Sequence, residues 1–135
     1  MAMTSTIQYK GNLRTFALHV RSKNSIITDA PVDNKGKGEA FSPTDLVATS
    51  LASCMITVMG IKAQKMGIDI DGASAETEKV MSSNPRKIQE IKVLVTMPKN
   101  DYSEKDKTTF ERVARTCPVA LSLSERLTQT ISFIW

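Results

Sequence analysis

The chain has 135 residues, of which 41% are hydrophobic and 24% are charged, and its formal net charge is +4 at pH 7. These values indicate one folded domain over residues 1–135 and exclude a disordered chain. The basic residues are scattered along the chain, and the N-terminus MAMTSTIQYK lacks the pattern of a signal peptide. We therefore expect a cytoplasmic protein that does not bind nucleic acid.

The N-terminal segment predicts short strands. Ile7–Lys10 and Leu13–Arg21 flank a turn at Gly11 and Asn12 and are expected to form a hairpin. The second of these segments alternates apolar and polar side chains as a half-buried strand does. A third short strand is expected at Ile26–Thr28. The turn-rich segment Asp29–Ala40 then leads to the most apolar part of the chain.

The segment Ser42–Gly67 predicts a central helix. Ser42 is a typical cap, Pro43 suits the first helical position, and Gly67 suits the C-terminal cap. Apolar side chains point all round this helix, so we expect it to be buried on most sides. Its uncharged run Leu46–Ile61 is shorter than the roughly 20 residues that a membrane span needs, so no membrane association is expected.

The rest of the chain predicts a second hairpin, two further helices and a final strand. In chain order these elements are expected at Ile68–Met81, Ile88–Met97, Ser103–Arg115, Cys117–Glu125 and Thr128–Trp135. This order is typical of an α+β fold. One small sheet and one amphipathic helix provide too little cover for a helix that is apolar on all sides. We therefore expect a homodimer in which the partner supplies the missing cover.

Two cysteines are candidates for chemistry. Cys54 lies in the middle of the central helix, where it is either a small buried apolar residue or a reactive thiol. Cys117 directly precedes Pro118 at the start of a helix, where backbone N–H groups and the helix dipole favour a thiolate, although a cysteine without a role would fit equally well. Their separation of 63 residues excludes a CxxC motif. The single histidine, His19, is expected on a strand face, which gives no support for a metal site.

The segment SPTDLVATSLASCM, followed by MGIDI, NPRKIQEIKVLV and CPVALSL, resembles the OsmC/Ohr family of osmotically induced and organic hydroperoxide resistance proteins, in one of its less characterised OsmC-like branches. The resemblance covers nearly the whole chain from Ser42 onward, and the order and spacing of the two cysteines are its specific part. It implies an α+β OsmC-like fold, with two small antiparallel sheets around long central helices in an intertwined homodimer that shares its active site between subunits.

The resemblance also implies a thiol-dependent peroxidase that reduces organic hydroperoxides. Cys54 would be the peroxidatic thiolate that becomes a sulfenic acid, and Cys117 would resolve it as an intramolecular disulfide. A dithiol reductant such as a lipoyl protein would then restore both thiols. No metal or bound cofactor is implied.

This chemistry requires a cation that holds Cys54 as a thiolate and a carboxylate that orients the cation. Family members place a glutamate directly after the proline that opens the helix, whereas this chain has Thr44 there and Asp45 next. Asp45 is therefore either the orienting carboxylate or a plain capping residue. Nine residues of helix separate it from Cys54 by about 13–14 Å, so the two side chains could meet only across a dimer interface.

The family's arginine comes from the N-terminal half. Arg14 is our candidate for this arginine, although an arginine that is only exposed to solvent on a strand would fit the sequence equally well. Arg21 is a weaker candidate. The loop before the central helix offers only Lys35 and Lys37, and lysine lacks the planar fork that holds a thiolate and a carboxylate together.

A second function stays open at this point. The chain could be an OsmC-fold protein without robust peroxidase activity that binds a small apolar or thiol ligand at the dimer interface. A disulfide that forms reversibly between the two cysteines would favour the peroxidase. Unreactive thiols together with ligand binding would favour the alternative.

Overall fold

The computed structural model describes residues 2–135, which form two compact units. The first unit ends at Leu46 and the second comprises Val47–Trp135. The strands are β1 (Ser5–Gly11), β2 (Arg14–His19), β3 (Ser25–Asp29), β4 (Ser74–Ser82), β5 (Lys87–Thr96) and β6 (Thr128–Ile134). The helices are α1 (Pro43–Met66), α2 (Glu104–Arg115) and α3 (Pro118–Ser122), and a 3-10 turn spans Val32–Asn34.

The sheet of the first unit is an antiparallel meander in the order β1-β2-β3, which confirms the predicted hairpin and third strand. Asn12 and Leu13 both have positive φ angles at the hairpin turn, and such turns match the twist of the flanking strands. In the register of β2 with β3, Arg14 lies opposite Asp29.

The first unit leaves most of its apolar side chains in contact with solvent. The residues that are fully buried in its described part are polar, namely Thr28, Asp29 and Ser42. By contrast, Ile7 is 65% exposed, and Tyr9 and Ile26 are exposed as well. A three-stranded sheet with so little buried apolar surface gains little stability from the hydrophobic effect on its own.

The sheet of the second unit has the order β4-β5-β6. Strands β4 and β5 form the predicted antiparallel hairpin, but β6 pairs with β5 in parallel, with Val93 opposite Ile131. The expectation of a purely antiparallel sheet is therefore wrong here. The chain leaves β5, passes through α2 and α3, and so returns to the sheet in the same direction, as helical crossovers do.

The core of the second unit lies between this sheet and the helices. It combines the inward face of β5 with buried residues of α1 and α2; its β5 and α2 members include Ile91, Val93, Val95, Phe110 and Ala114. Tyr102, Phe110 and Trp135 form an aromatic cluster beside it, with ring centroids 4.8–6.2 Å apart. Edge-to-face contacts of this kind stabilise a core beyond the area they bury.

Both ends of α1 lie where the sequence predicts them. Ser42 Oγ accepts a hydrogen bond from the Asp45 N–H at 3.0 Å, and Asp45 Oδ2 accepts one from the Ser42 N–H at 3.0 Å, which is a capping box. At the other end, Gly67 has a φ of 69°, and the N–H groups of Gly67 and Ile68 donate to the last carbonyls of the helix. That pattern is a Schellman motif.

The burial of α1 differs from the prediction. Within the chain one stripe is buried, at the helical spacing of Ala48, Leu51, Ala52, Met55, Met59 and Ala63. Ile61 is 51% exposed, so burial on most sides is wrong for the single chain, whose sheet and α2 reach only one face. By length and composition α1 could cross a membrane, a property that core helices of soluble proteins share.

Two other boundaries differ from the prediction. Strand β4 begins at Ser74 rather than Ile68, because a turn with Gly72 at a φ of 91° precedes it. Helix α3 ends at Ser122 rather than near Glu125. Helix α2 begins with a capping box, in which Ser103 and Asp106 exchange hydrogen bonds at 3.0 Å.

Candidate functional site

Cys117 is the N-terminal cap of α3, as its position before Pro118 predicts. Its Sγ accepts a hydrogen bond from the Ala120 N–H at 3.4 Å, in the way that a serine or aspartate oxygen caps a helix. The side chain is 1% exposed and belongs to the core of the second unit. The thiol is therefore held in one orientation.

Cys54 lies in the middle of α1, at the edge of the buried stripe. Its side chain is half-buried and packs against the core cluster that contains Cys117. The two cysteines are thus neighbours in the core, although 63 residues separate them in the sequence. Both cysteines are free thiols in this structure.

Burial raises the pKa of the Cys117 thiol above its ordinary value of 9.0, and the neighbouring Cys54 raises it further. The N–H groups of Ala120 and Val119 act in the opposite direction but do not reverse the shift. The expectation that a helix start makes Cys117 a thiolate is therefore wrong. Desolvation of the sulfur outweighs the favourable N–H groups of a helix of five residues.

The pair thus consists of two unequal thiols. Cys54 can meet a small molecule from solvent, whereas Cys117 is buried and protonated directly beside it. An accessible thiol packed against a core that contains a second thiol is an arrangement from which an intramolecular disulfide can form.

Arg14 lies in the first unit, where a buried carboxylate holds its guanidinium. Its Nε donates to Asp29 Oδ1 at 2.7 Å and its Nη2 donates to Asp29 Oδ2 at 2.8 Å, and Nη2 also lies 3.5 Å from Glu39 Oε1. Asp29 is 1% exposed and accepts a further hydrogen bond from the Glu39 N–H at 3.0 Å. The Arg14 guanidinium and this N–H hold the pKa of Asp29 below its ordinary value of 3.8.

Asp29 is the residue that sequence reasoning missed. The sequence predicts it in the loop that follows the third strand, whereas β3 includes it and places it opposite Arg14. The pairing of Asp29 with Arg14 depends on the register between two strands, which no pattern within β3 alone shows. The bidentate geometry provides what the candidate arginine needs, namely a carboxylate that fixes its plane.

The other predicted candidates have local roles in the structure. Asp45 belongs to the capping box of α1. Lys35 ends the 3-10 turn with a φ of 69°. The charge of Lys37 favours the ionised form of the Asp29 carboxylate. Arg21 is exposed beyond the end of β2. Among residues 2–135, no group of three or more His, Cys, Asp or Glu side chains could hold a metal ion.

Comparison with known proteins adds to this geometry. A solved structure from Psychrobacter arcticus 273-4, of a candidate osmotic stress induced and detoxification response protein, is 51% identical to this chain with a TM-score of 0.95. That match covers 98% of this chain and 96% of the other. A search of curated proteins finds no match.

More distant structures share the fold. An organic hydroperoxide resistance protein from Legionella pneumophila is 16% identical, with a TM-score of 0.73 and coverage of 100% and 99% of the two chains. A candidate organic hydroperoxide resistance protein from Vibrio cholerae, with captopril bound in one of its active sites, is 12% identical, with a TM-score of 0.72 and coverage of 98% and 92%. The family model described as OsmC-like protein matches residues 36–132. This chain therefore belongs to the OsmC-like protein family.

Proposed function

We propose that this chain is a thiol-dependent peroxidase that reduces organic hydroperoxides with Cys54 and Cys117. The observation that carries the proposal is that the fold brings Cys54 against the core cluster that contains Cys117, despite their 63-residue separation in the sequence. The fold shared with organic hydroperoxide resistance proteins supports it.

The first step uses the more accessible sulfur. The Cys54 thiolate attacks the distal oxygen of the hydroperoxide, so that an S–O bond forms as the O–O bond breaks. The alkoxide leaves and takes a proton to become the alcohol, and Cys54 becomes a sulfenic acid. The sulfur is oxidised by two electrons and the peroxide is reduced by two.

The second step uses the buried thiol. Cys117 attacks the sulfenic sulfur of Cys54, an S–S bond forms, and the hydroxyl group leaves as water with the proton that Cys117 gave up. A protonated Cys117 suits this order of events, because it does not compete with Cys54 for the peroxide. A dithiol, such as a reduced lipoyl group on a partner protein, then returns two electrons and two protons and is itself oxidised to a disulfide.

The direct test is titration of thiols in the reduced protein before and after one equivalent of cumene hydroperoxide, combined with mass analysis. We expect rapid loss of both thiols and of two mass units per chain, with one disulfide formed between the two cysteines. Survival of both thiols in excess hydroperoxide would overturn the proposal.

That negative outcome would favour ligand binding instead. The Vibrio cholerae structure, in which captopril is bound in one of the active sites, supports this second candidate, because a protein of the same fold holds a small molecule there.

We also propose that the functional protein is a homodimer. The exposed apolar side chains of the first unit, including Ile7 and Tyr9, and the exposed Ile61 on α1 leave more apolar surface in solvent than a monomer of this size usually tolerates. An isologous interface would cover the same patch on both subunits. Arg14 and Asp45 stay predictions as catalytic residues; the buried carboxylate that fixes Arg14 supports Arg14 as the cation.

A further inference from the structure

The single histidine of the chain, His19, ends β2 and is held by the turn that connects β2 with β3. Its Nδ1 lies 2.6 Å from Ser22 Oγ, and the backbone N–H of Ser22 donates to the same nitrogen at 3.3 Å. Ser22 Oγ also accepts a hydrogen bond from the Asn24 N–H at 3.2 Å. The imidazole is therefore a structural part of this turn, although it is exposed to solvent.

These contacts determine which ring nitrogen carries the proton. A backbone N–H can only donate, so Nδ1 is the acceptor and the proton of the neutral ring lies on Nε2. A second proton has to bind at Nδ1, where it removes the acceptor that the Ser22 N–H uses. The Ser22 hydroxyl then has to accept from the ring instead of donating to it. Protonation of His19 thus breaks one hydrogen bond of the turn and reverses another.

His19 also lies on the apolar face of the first sheet. In the antiparallel register, His19 is opposite Ser5. Ala17, two residues earlier on β2, is opposite Ile7 of β1 and Ile26 of β3. Cross-strand partners point to the same side of a sheet, and so do residues two apart on one strand. The imidazole therefore shares a face with the exposed Ile7 and Ile26, which is the face that we propose as the dimer interface.

The surroundings of the ring are unsuited to a positive charge. A cavity of about 280 Å³ lies beside it, and the other residues that line this cavity are neutral, namely Ser5, Ala17, Leu18, Asn24, Ser25 and Ile26. The charged side chains of the adjoining turn are Arg21 and Lys23, which are both cations. Within residues 2–135, His19 forms no ion pair. A proton on His19 therefore adds to like charges, and in an interface it is buried without a partner.

We propose that His19 is a pH switch of the homodimer. The neutral imidazole holds the turn and presents an uncharged edge of the sheet to the second subunit. Histidine gains a proton between about pH 8 and pH 5, and an isologous interface places one such charge on each subunit. The dimer is therefore stable above this range and weakens as the pH falls through it. The part of this inference that concerns the interface rests on the proposed homodimer, whereas the part that concerns the turn does not.

Size-exclusion chromatography with light scattering, over a series of protein concentrations, measures the switch. Between about pH 7.5 and pH 5.5, we expect the dissociation constant of the dimer to rise about tenfold or more, because each dimer takes up two protons. His19→Asn is the decisive variant, since asparagine Oδ1 can replace Nδ1 as the acceptor for the Ser22 N–H but does not titrate. Its dissociation constant is expected to stay within about twofold over the same range.

A matched control places a histidine on the other face of the same sheet. The double variant His19→Asn/Gln8→His carries one histidine again, but Gln8 alternates with Ile7 on β1 and points away from the proposed interface. We expect its dimer to remain insensitive to pH. In the unsubstituted protein, the NMR signal of the Ser22 N–H is expected to shift with the same midpoint as the His19 ring, and this reports on the turn alone.

The outcomes separate the switch from the function on which it rests. A dimer whose dissociation constant does not change with pH, or changes equally in His19→Asn, would overturn the switch but not the dimer. A protein that is monomeric at pH 7.5 would overturn both. Loss of the two thiols on addition of cumene hydroperoxide does not involve His19, so the peroxidase stands or fails by that separate measurement.

Discussion

The two cysteines differ in the access that solvent has to each sulfur. Cys54 is half-buried on α1, and Cys117 is fully buried at the cap of α3. In the proposed mechanism, the more accessible Cys54 attacks the peroxide. The buried Cys117 then attacks the sulfenic acid formed on Cys54. Substitution of each sulfur by oxygen separates these roles, because serine keeps nearly the same shape but cannot be oxidised in this way.

Cys54→Ser is expected to abolish hydroperoxide turnover, with a loss of about a thousandfold or more, because no nucleophile for the peroxide remains. Cys117→Ser is expected to complete one turnover and then to hold Cys54 as a sulfenic acid. A dimedone adduct detected by mass analysis measures this trapped species. Sustained turnover by the Cys54→Ser protein would contradict the assignment.

The ion pair of Arg14 with Asp29 predicts a dependence of stability on pH. The pKa of Asp29 is lowered in the folded state, first by its hydrogen bonds from Arg14 and also by the Glu39 N–H. Its contribution to stability is therefore present above the ordinary pKa of 3.8 and is lost as the pH falls through the lowered value.

Asp29→Asn is accordingly expected to lower the urea midpoint of the protein at pH 7, by an amount that shrinks as the pH falls below 3.8. Urea titrations followed by circular dichroism at several pH values measure this difference. Glu39→Gln is the matched control, because Glu39 is 63% exposed and its contact with Arg14 is long. If Asp29→Asn lowers the urea midpoint by the same amount at every pH, the charge of Asp29 is not the stabilising feature.

At the scale of secondary structure, the C-terminal end of α1 depends on one glycine. Gly67 has a φ of 69°, and a Cβ built there would meet no atom within 4 Å. An alanine at this position would therefore be strained by backbone conformation alone and not by a clash.

Gly67→Ala is expected to lower the free energy of unfolding by about 1 kcal/mol, measured by urea denaturation. Gln64→Ala is the control, since Gln64 is exposed in the last turn of the same helix and should change stability by less than about 0.5 kcal/mol. Equal stability of the Gly67→Ala protein and the unsubstituted protein would mean that the cap is not a determinant of this helix end.

For the whole molecule, the exposed apolar face of the first sheet predicts the oligomeric state. Ile7 and Tyr9 alternate with Gln8 on β1, so the two kinds of side chain point to opposite faces of the sheet. A charge at Ile7 would be costly if a second subunit covers that face, because it would be buried without a partner.

Ile7→Asp is therefore expected to convert a dimer into monomers, with the mass halved in size-exclusion chromatography with light scattering. Gln8→Asp places the same charge on the other face of the same strand and should leave the dimer intact. A monomeric unsubstituted protein, or a dimer that tolerates Ile7→Asp, would exclude this face as the interface.

Features that depend on neighbours in the sequence could be predicted without coordinates. Ser42, Asp45 and Gly67 act within one helical turn, so the ends of α1 followed from residue types alone, as did the capping box of α2. The family, too, could be recognised from Ser42 onward, because the residue types around Cys54 and Cys117 and the spacing of the two cysteines are visible in the sequence.

Features that depend on distant residues required the tertiary structure. The parallel pairing of β6, the Asp29 carboxylate that holds Arg14, and the raised pKa of Cys117 all arise from segments that meet only after folding. Cys117 at the start of α3 is a clear case. The sequence shows that backbone N–H groups there favour a thiolate, but it does not show the core that surrounds the sulfur. Desolvation is a property of everything packed around the sulfur, and only the folded chain determines which residues those are.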